Sequence, residues 1–191
     1  MSKKLLILDI DETLVHTEVF YDQNPGNDYL HPGSYDFKFE SSDGEAQYYV
    51  IKRPHLKEFL DWAFDNFKVA VWTAAGDIYA KKVLAGIGVD WRTLEFFYTK
   101  DNCTLKYDYE TNQYYGVKNL TKLRKKYNLD EVLIVDDVDL TAVNNYGNLV
   151  HIKPFIYDRK DDELFKLKNY LEKIKDAKNF RSIEKRGWVN N

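Results

Sequence analysis

Four short runs of consecutive apolar residues punctuate the chain: Lys3–Asp9 (KKLLILD), Lys68–Thr73 (KVAVWT), Glu131–Val135 (EVLIV) and Asn148–Ile152 (NLVHI). Continuous rather than alternating hydrophobicity predicts strands buried on both faces, as in a parallel sheet. Other segments carry the helical period. Pro54–Phe67 repeats apolar residues at Leu56, Phe59, Leu60, Ala63, Phe64 and Phe67, with Pro54 suited to the first helical position. Asp77–Ile87 puts Tyr79, Val83, Leu84 and Ile87 on one stripe, with Gly86 and Gly88 near its end. Asn119–Tyr127 reads as a short helix. Asp161–Lys175 reads as an amphipathic one through Leu164, Leu167, Leu171 and Ile174. Strands alternating with helices predict right-handed crossovers and an α/β fold, a Rossmann-like parallel sheet flanked by helices.

Two stretches break this alternation. Tyr21–Tyr49 holds turn signals at Asn-Pro-Gly 24–26, His-Pro-Gly 31–33 and Asp43-Gly44, around strand-like Ser34–Glu40 and Ala46–Ile51. It predicts a β-hairpin excursion from the main sheet. Phe96–Val117 returns to short strands, with a turn at Thr111-Asn112. Tyr48, Tyr49, Tyr107, Tyr109, Tyr114 and Tyr115 concentrate in these excursions. They either wall a groove for a peptide or a phosphotyrosine ring, or pack small hairpins onto the body. The resulting organisation is one domain over residues 1–176 with β insertions at about 18–50 and 96–117, and a tail over 177–191. The last dozen residues are weakly patterned and are expected to be loosely held.

Composition narrows the classes. The 191 residues are 44% hydrophobic and 31% charged, which excludes a disordered chain. Cys103 is the one cysteine, so no internal disulfide forms, and the chain reads as intracellular and cytoplasmic, or nuclear in a eukaryote. Leu5–Leu8 is too short for a signal-peptide core or a membrane span. The net charge of −3 is uneven. Residues 164–187 hold eight basic and three acidic side chains, which leaves residues 1–163 with 20 basic and 28 acidic. An acidic body argues against nucleic-acid binding. The basic stretch is a solvated helix face or a contact for an acidic partner.

Chemistry concentrates where the apolar runs end. Asp9 and Asp11 follow the first, Thr73 the second, Asp136 and Asp137 the third. In parallel sheets the carboxyl ends of the strands share one rim, and ligands bind there. Four carboxylates on one rim are costly without a cation, and hard oxygen ligands suit Mg²⁺. Thr73 alone is equally a strand-end cap, and Lys118 alone a solvated helix start. Arg53 either contacts a second phosphate or a peptide, or pairs with a hairpin carboxylate. His16 and His55 read as structural. Cys103 has no neighbour that marks a nucleophile.

The spacing Asp9-Ile10-Asp11-Glu12-Thr13 resembles the DxDx(T/V) signature of the haloacid dehalogenase superfamily of aspartate-nucleophile phosphohydrolases. DIDETLVHT (Asp9–Thr17) is similar to one branch, the RNA polymerase II C-terminal-domain phosphatases and their small relatives, the NLI-interacting-factor-like proteins. IKRPH (Ile51–His55), VWTAA (Val71–Ala75), YGVKNLTKL (Tyr115–Leu123) and VLIVDDVD (Val132–Asp139) resemble that branch's further motifs in the same order. The resemblance implies a monomeric phosphoric monoester hydrolase that takes phosphate onto Asp9, with Asp11 as acid and base. It implies Thr73, Ala74, Lys118 and Arg53 on the substrate, and one Mg²⁺ held by Asp9, Asp11, Asp136 and Asp137, Asp11 through its backbone carbonyl. Superfamily members acting on small metabolites usually carry a large cap; the short stretches here leave the site open. The implied substrate is a phosphorylated polypeptide, serine or threonine before tyrosine. A sugar or nucleotide phosphatase and a non-catalytic adaptor are the alternatives.

Overall fold

The computed structural model describes residues 3–21, 30–31, 33–110 and 112–190. In chain order the strands are β1 (Leu5–Leu8), β2 (Val15–Tyr21), β3 (Phe37–Glu40), β4 (Ala46–Lys52), β5 (Lys68–Trp72), β6 (Phe97–Tyr98), β7 (Thr104–Asp108), β8 (Gln113–Val117), β9 (Val132–Asp136) and β10 (Leu149–His151). The helices are α1 (Leu56–Asn66), α2 (Asp77–Gly86) and α3 (Glu163–Ile174). The four apolar runs form four adjacent strands of a five-stranded parallel sheet ordered β10-β9-β1-β5-β6, with β10 at one edge. β1 lies in the middle, and all four of its residues are buried. Its side chains alternate between layers. Leu6 and Leu8 pack with Phe59 of α1, Val83 of α2 and Leu167 of α3, whereas Leu5 and Ile7 pack with Trp72, Leu120 and Leu123.

The first excursion is a three-stranded antiparallel sheet, β2-β4-β3. The hairpin around Asp43-Gly44 forms as expected, but the chain enters it through β2, which pairs residue by residue with β4 from Val15–Lys52 to Tyr21–Ala46. The second excursion is the β7–β8 hairpin. Asn-Pro-Gly 24–26, Pro32 and Thr111 fall outside the described residues. Packing holds the first excursion against the body: a Cβ added to Gly86 would fall 2.2 Å from the Phe37 ring, so the end of α2 and β3 meet at a distance only glycine permits.

Three local expectations change. Pro54 is not the first residue of α1. His55 caps that helix with φ +65°, so Pro54 lies in the preceding turn. Asn119–Tyr127 holds only a 3₁₀ turn at Leu120–Leu123, opened by the Asn119 side chain accepting from the Thr121 N–H. The C-terminal stretch is not loose: Phe180 and Trp188 are buried in the main core. The Trp188 indole donates to the His151 carbonyl at 2.6 Å, and its ring lies 5.6 Å from Tyr170. Patterning missed this segment because two widely spaced aromatics carry its burial, without a helical or alternating period. No helix among the described residues is long and apolar enough to cross a membrane.

Candidate active site

The loop after β1 is built by its own backbone. The Asp9 N–H continues the ladder to Val135 O at 3.1 Å, so Asp9 is held beside the end of β9. The chain then turns back: Leu14 and Val15 both donate to Ile10 O, at 2.8 and 3.2 Å, and Glu12 takes φ +54°. On β9, Asp136 is the last strand residue and Asp137 the next. Asp9, Asp136 and Asp137 converge, with one carboxylate oxygen of each inside a 4.8 Å group.

Lys118 joins them from the side. It follows β8, and its backbone carbonyl is held by the Asn145 amide at 3.1 Å. Its ammonium donates to Asp9 Oδ1 at 2.5 Å and to Asp136 Oδ2 at 2.7 Å. All three side chains are nearly inaccessible. Burial acts to lower the lysine, but Asp9 and Asp136 outweigh it and hold Lys118 above its ordinary value. Burial raises Asp9, and Asp136 and Asp11 push the same way against the Lys118 attraction. Lys118 is therefore held as an ammonium, and burial among other carboxyl groups raises Asp9, so positive charge beside it favours its ionised form.

The donor set fits a divalent cation. Three carboxyl groups converge around one ammonium, two of them buried, and every ligand atom is a hard oxygen. Asp136 spends one oxygen on Lys118 and the other on the Val138 N–H at 3.0 Å. Asp137 accepts from the Thr13 hydroxyl at 3.3 Å, and burial raises its carboxyl. Asp9 and Asp137 are thus the freer pair for direct ligation.

Asp11 is placed differently from the other three. Its carboxylate accepts a hydrogen bond from the Tyr79 hydroxyl, which also bonds Thr17 Oγ1 at 2.8 Å. Burial pushes Asp11 up to about 6, and the Tyr79 bond opposes that rise. Its side chain is not in the converging carboxylate group, so the structure gives it no ligating carboxylate role. Thr73 is buried at the end of β5, and its oxygen accepts the Ala75 N–H at 2.9 Å. That leaves its own proton to donate. Ala74 beside it is exposed.

Arg53 corrects its expected role. A guanidinium has five N–H donors. Two go to Asp161, at 2.8 and 2.9 Å, and the others to the carbonyls of Glu12, Thr13 and Lys153. With 1% exposure it has nothing left for a substrate, and its partner is a carboxylate before α3 rather than one on a hairpin. It straps the loop after β1 to the segment after β10. His16 lies between Glu12 and Glu18, at 3.1 Å from each, as a structural residue. Tyr79 and His151, whose Nε2 lies 2.8 Å from the Asp137 carbonyl oxygen, are site neighbours that sequence reasoning missed. In the sequence Tyr79 reads only as one position of the apolar stripe of α2.

The model of the NLI interacting factor-like phosphatase family matches residues 4–181. The chain belongs to that family. It therefore sits in the C-terminal-domain phosphatase branch of the haloacid dehalogenase superfamily, as its motifs suggest. This phosphatase is 34% identical over 186 residues to a CTD phosphatase-like protein of Invertebrate iridescent virus 3, covering 91% of this chain and 98% of the relative. It is 30% identical over 173 residues to Phosphatase PSR1 of Saccharomyces cerevisiae, covering 91% of this chain and 36% of that one. The chain thus spans nearly all of the viral relative and about a third of the yeast one. The solved structure of the fission yeast RNA polymerase II CTD phosphatase Fcp1 bound to beryllium fluoride superposes with a TM-score of 0.58 at 21% identity. That match covers 94% of this chain and 53% of the other, and shows the shared fold.

Proposed function

We propose that this phosphatase hydrolyses phosphoserine or phosphothreonine on polypeptides, with Mg²⁺ as cofactor and a phosphate ester of Asp9 as intermediate. The observation that carries the proposal is the Lys118 ammonium clamped between Asp9 and Asp136, with Asp137 alongside. Asp9, Asp136 and Asp137 would hold the metal, with the Asp11 backbone carbonyl. When bound, the cation supplies the charge that lets an anionic nucleophile approach a dianionic phosphate.

The chain's own residues do the rest. An Asp9 carboxylate oxygen attacks phosphorus in line, forming one P–O bond as the bond to the substrate oxygen breaks. The Asp11 carboxyl, raised by burial, gives its proton to that leaving oxygen. Asp11 then takes a proton from the water that attacks phosphorus, and Asp9 is released with inorganic phosphate. Lys118, the Thr73 hydroxyl and Ala74 hold phosphate oxygens.

A polypeptide substrate is supported by the open site. A cleft of about 400 Å³ lies between the first excursion and the start of α2, lined by Phe39, Tyr48, Tyr79, Lys82 and Lys100. Tyr79 joins it to Asp11. The test is hydrolysis of p-nitrophenyl phosphate, phosphopeptides and sugar phosphates, each with Mg²⁺ and with chelator. The expected result is Mg²⁺-dependent release of phosphate from peptides. Turnover confined to metabolites rejects the polypeptide substrate, and no metal-dependent turnover of any ester rejects the whole reading.

A further inference from the structure

Beyond the end of β9 the backbone is pinned group by group. The Asp136 carbonyl accepts the Ile152 N–H at 3.1 Å, one step past the last pair of the β9–β10 ladder. The Asp136 carboxylate accepts the Val138 N–H at 3.0 Å. In a parallel ladder the next donor would come from residue 154, and Pro154 has no N–H. A side chain takes over at this point. His151 Nε2 lies 2.8 Å from the Asp137 carbonyl oxygen. A carbonyl only accepts, so this ring nitrogen carries the proton.

His151 is itself fixed from behind. It stands opposite Asp136 in the sheet register, and its carbonyl accepts the indole N–H of the buried Trp188 at 2.6 Å. Its side chain is exposed, so it fills no core. It also lies outside the group of converging ligand atoms, so it is not placed as a metal ligand. The role left to the ring is to set the orientation of the Asp137 backbone. That orientation matters, because the Asp137 carboxylate is steadied by the Thr13 hydroxyl only at 3.3 Å. A turn of the backbone at 137 would carry its carboxylate away from Asp9 and Asp136.

We propose that His151 is a positioning residue for the cation, holding Asp137 at the place a small divalent ion requires. The proposal rests on the metal reading above. Mg²⁺ demands a near-ideal octahedron with short bonds, whereas Ca²⁺ accepts longer and less regular ones. Loss of a group that orients a ligand typically weakens metal binding about 10–100-fold. A loosened Asp137 therefore harms Mg²⁺ binding more than Ca²⁺ binding. This difference separates positioning from a change in the charge of the site, which would weaken both ions alike.

The experiment is calorimetric titration of the full chain with MgCl₂ and, separately, with CaCl₂, in the wild type, His151→Ala and His151→Gln. His151→Ala is expected to raise the Mg²⁺ dissociation constant about tenfold and the Ca²⁺ constant about twofold or less. His151→Gln keeps an N–H donor and is expected to recover most of the Mg²⁺ affinity. Melting temperatures of the three metal-free proteins should agree within about 2 °C, since an exposed side chain carries little stability. Unchanged Mg²⁺ binding in His151→Ala, equal weakening of both ions, no recovery in His151→Gln, or a metal-free melt lowered by more than about 4 °C overturns the proposal. A wild type that binds neither cation overturns the metal reading with it.

Discussion

At Asp11 two effects oppose each other: burial raises the carboxyl to about 6, while the Tyr79 hydroxyl, bonding the ionised form, holds it down. A general acid must be protonated for the leaving-group step, so kcat/KM for an unactivated phosphopeptide should fall as pH rises through that value. Tyr79→Phe removes the donor and keeps the ring against Phe39 and Tyr48. The descending limb should then move to higher pH, because the ionised form has lost its partner. A pH profile of both enzymes on one substrate reads the displacement, since the substrate's own titration is common to both. An unmoved limb would exclude Asp11 as the acid. Asp9→Asn probes the other half of the chemistry. It removes the proposed nucleophile while relieving carboxylate crowding, so turnover should drop by several orders of magnitude, about three or more, while thermal stability is kept. Near-normal phosphate release by that variant would refute the nucleophile.

At the scale of elements, the strap between the loop after β1 and the residues before α3 is one buried ion pair. Arg53 and Asp161 meet through two bonds, with side-chain exposures of 0% and 6%. Removing one partner leaves a buried charge unmatched, so Asp161→Ala should cost about 3–5 kcal/mol. Replacing both by apolar residues, Arg53→Met with Asp161→Leu, should recover part of that loss, because two buried charges disappear together while the carbonyls of Glu12, Thr13 and Lys153 lose their donor. Urea unfolding of the wild type and the two variants decides it; equal losses in the single and double variants would show that the unmatched charge does not carry the strap. This pair also marks the limit of the sequence. The central strands were legible because unbroken apolar runs have few homes other than a doubly covered sheet, and the carboxylates were legible because they follow those runs directly. Arg53 could not be resolved, since its partner lies 108 residues on and no local pattern couples the two positions. β2 was obscured for a related reason: its residues show burial only at Val15 and partial burial beyond, with no clean alternation. The six tyrosines divided once tertiary contacts were known. Tyr49 is fully buried against Phe20 and Tyr35, Tyr48 lines the cleft, and Tyr109 and Tyr114 face water.

Across the whole molecule, the C-terminal segment reaches back to the end of the sheet that carries the carboxylate group. Trp188 donates to the backbone of His151, and His151 in turn contacts the carbonyl of Asp137. Phe180 is fully buried, and Trp188 is 3% exposed in the same cluster as β1 and α3. Truncating either ring to alanine should cost about 3–5 kcal/mol by lost transfer energy and residual cavity. Deleting residues 177–191 removes both, a loss of about 6–10 kcal/mol against the 5–15 kcal/mol typical of a native domain. The shortened chain should therefore lose cooperative unfolding or melt far below the full chain. Trp188→Phe separates packing from the hydrogen bond, since it keeps most of the ring and loses the indole donor. It should cost about 1 kcal/mol from the unpaired His151 carbonyl, together with a small packing loss. Thermal melts of the three forms give the order expected: full chain, then Trp188→Phe, then the deletion. A deletion that melts with the full chain would show that the core closes without this segment.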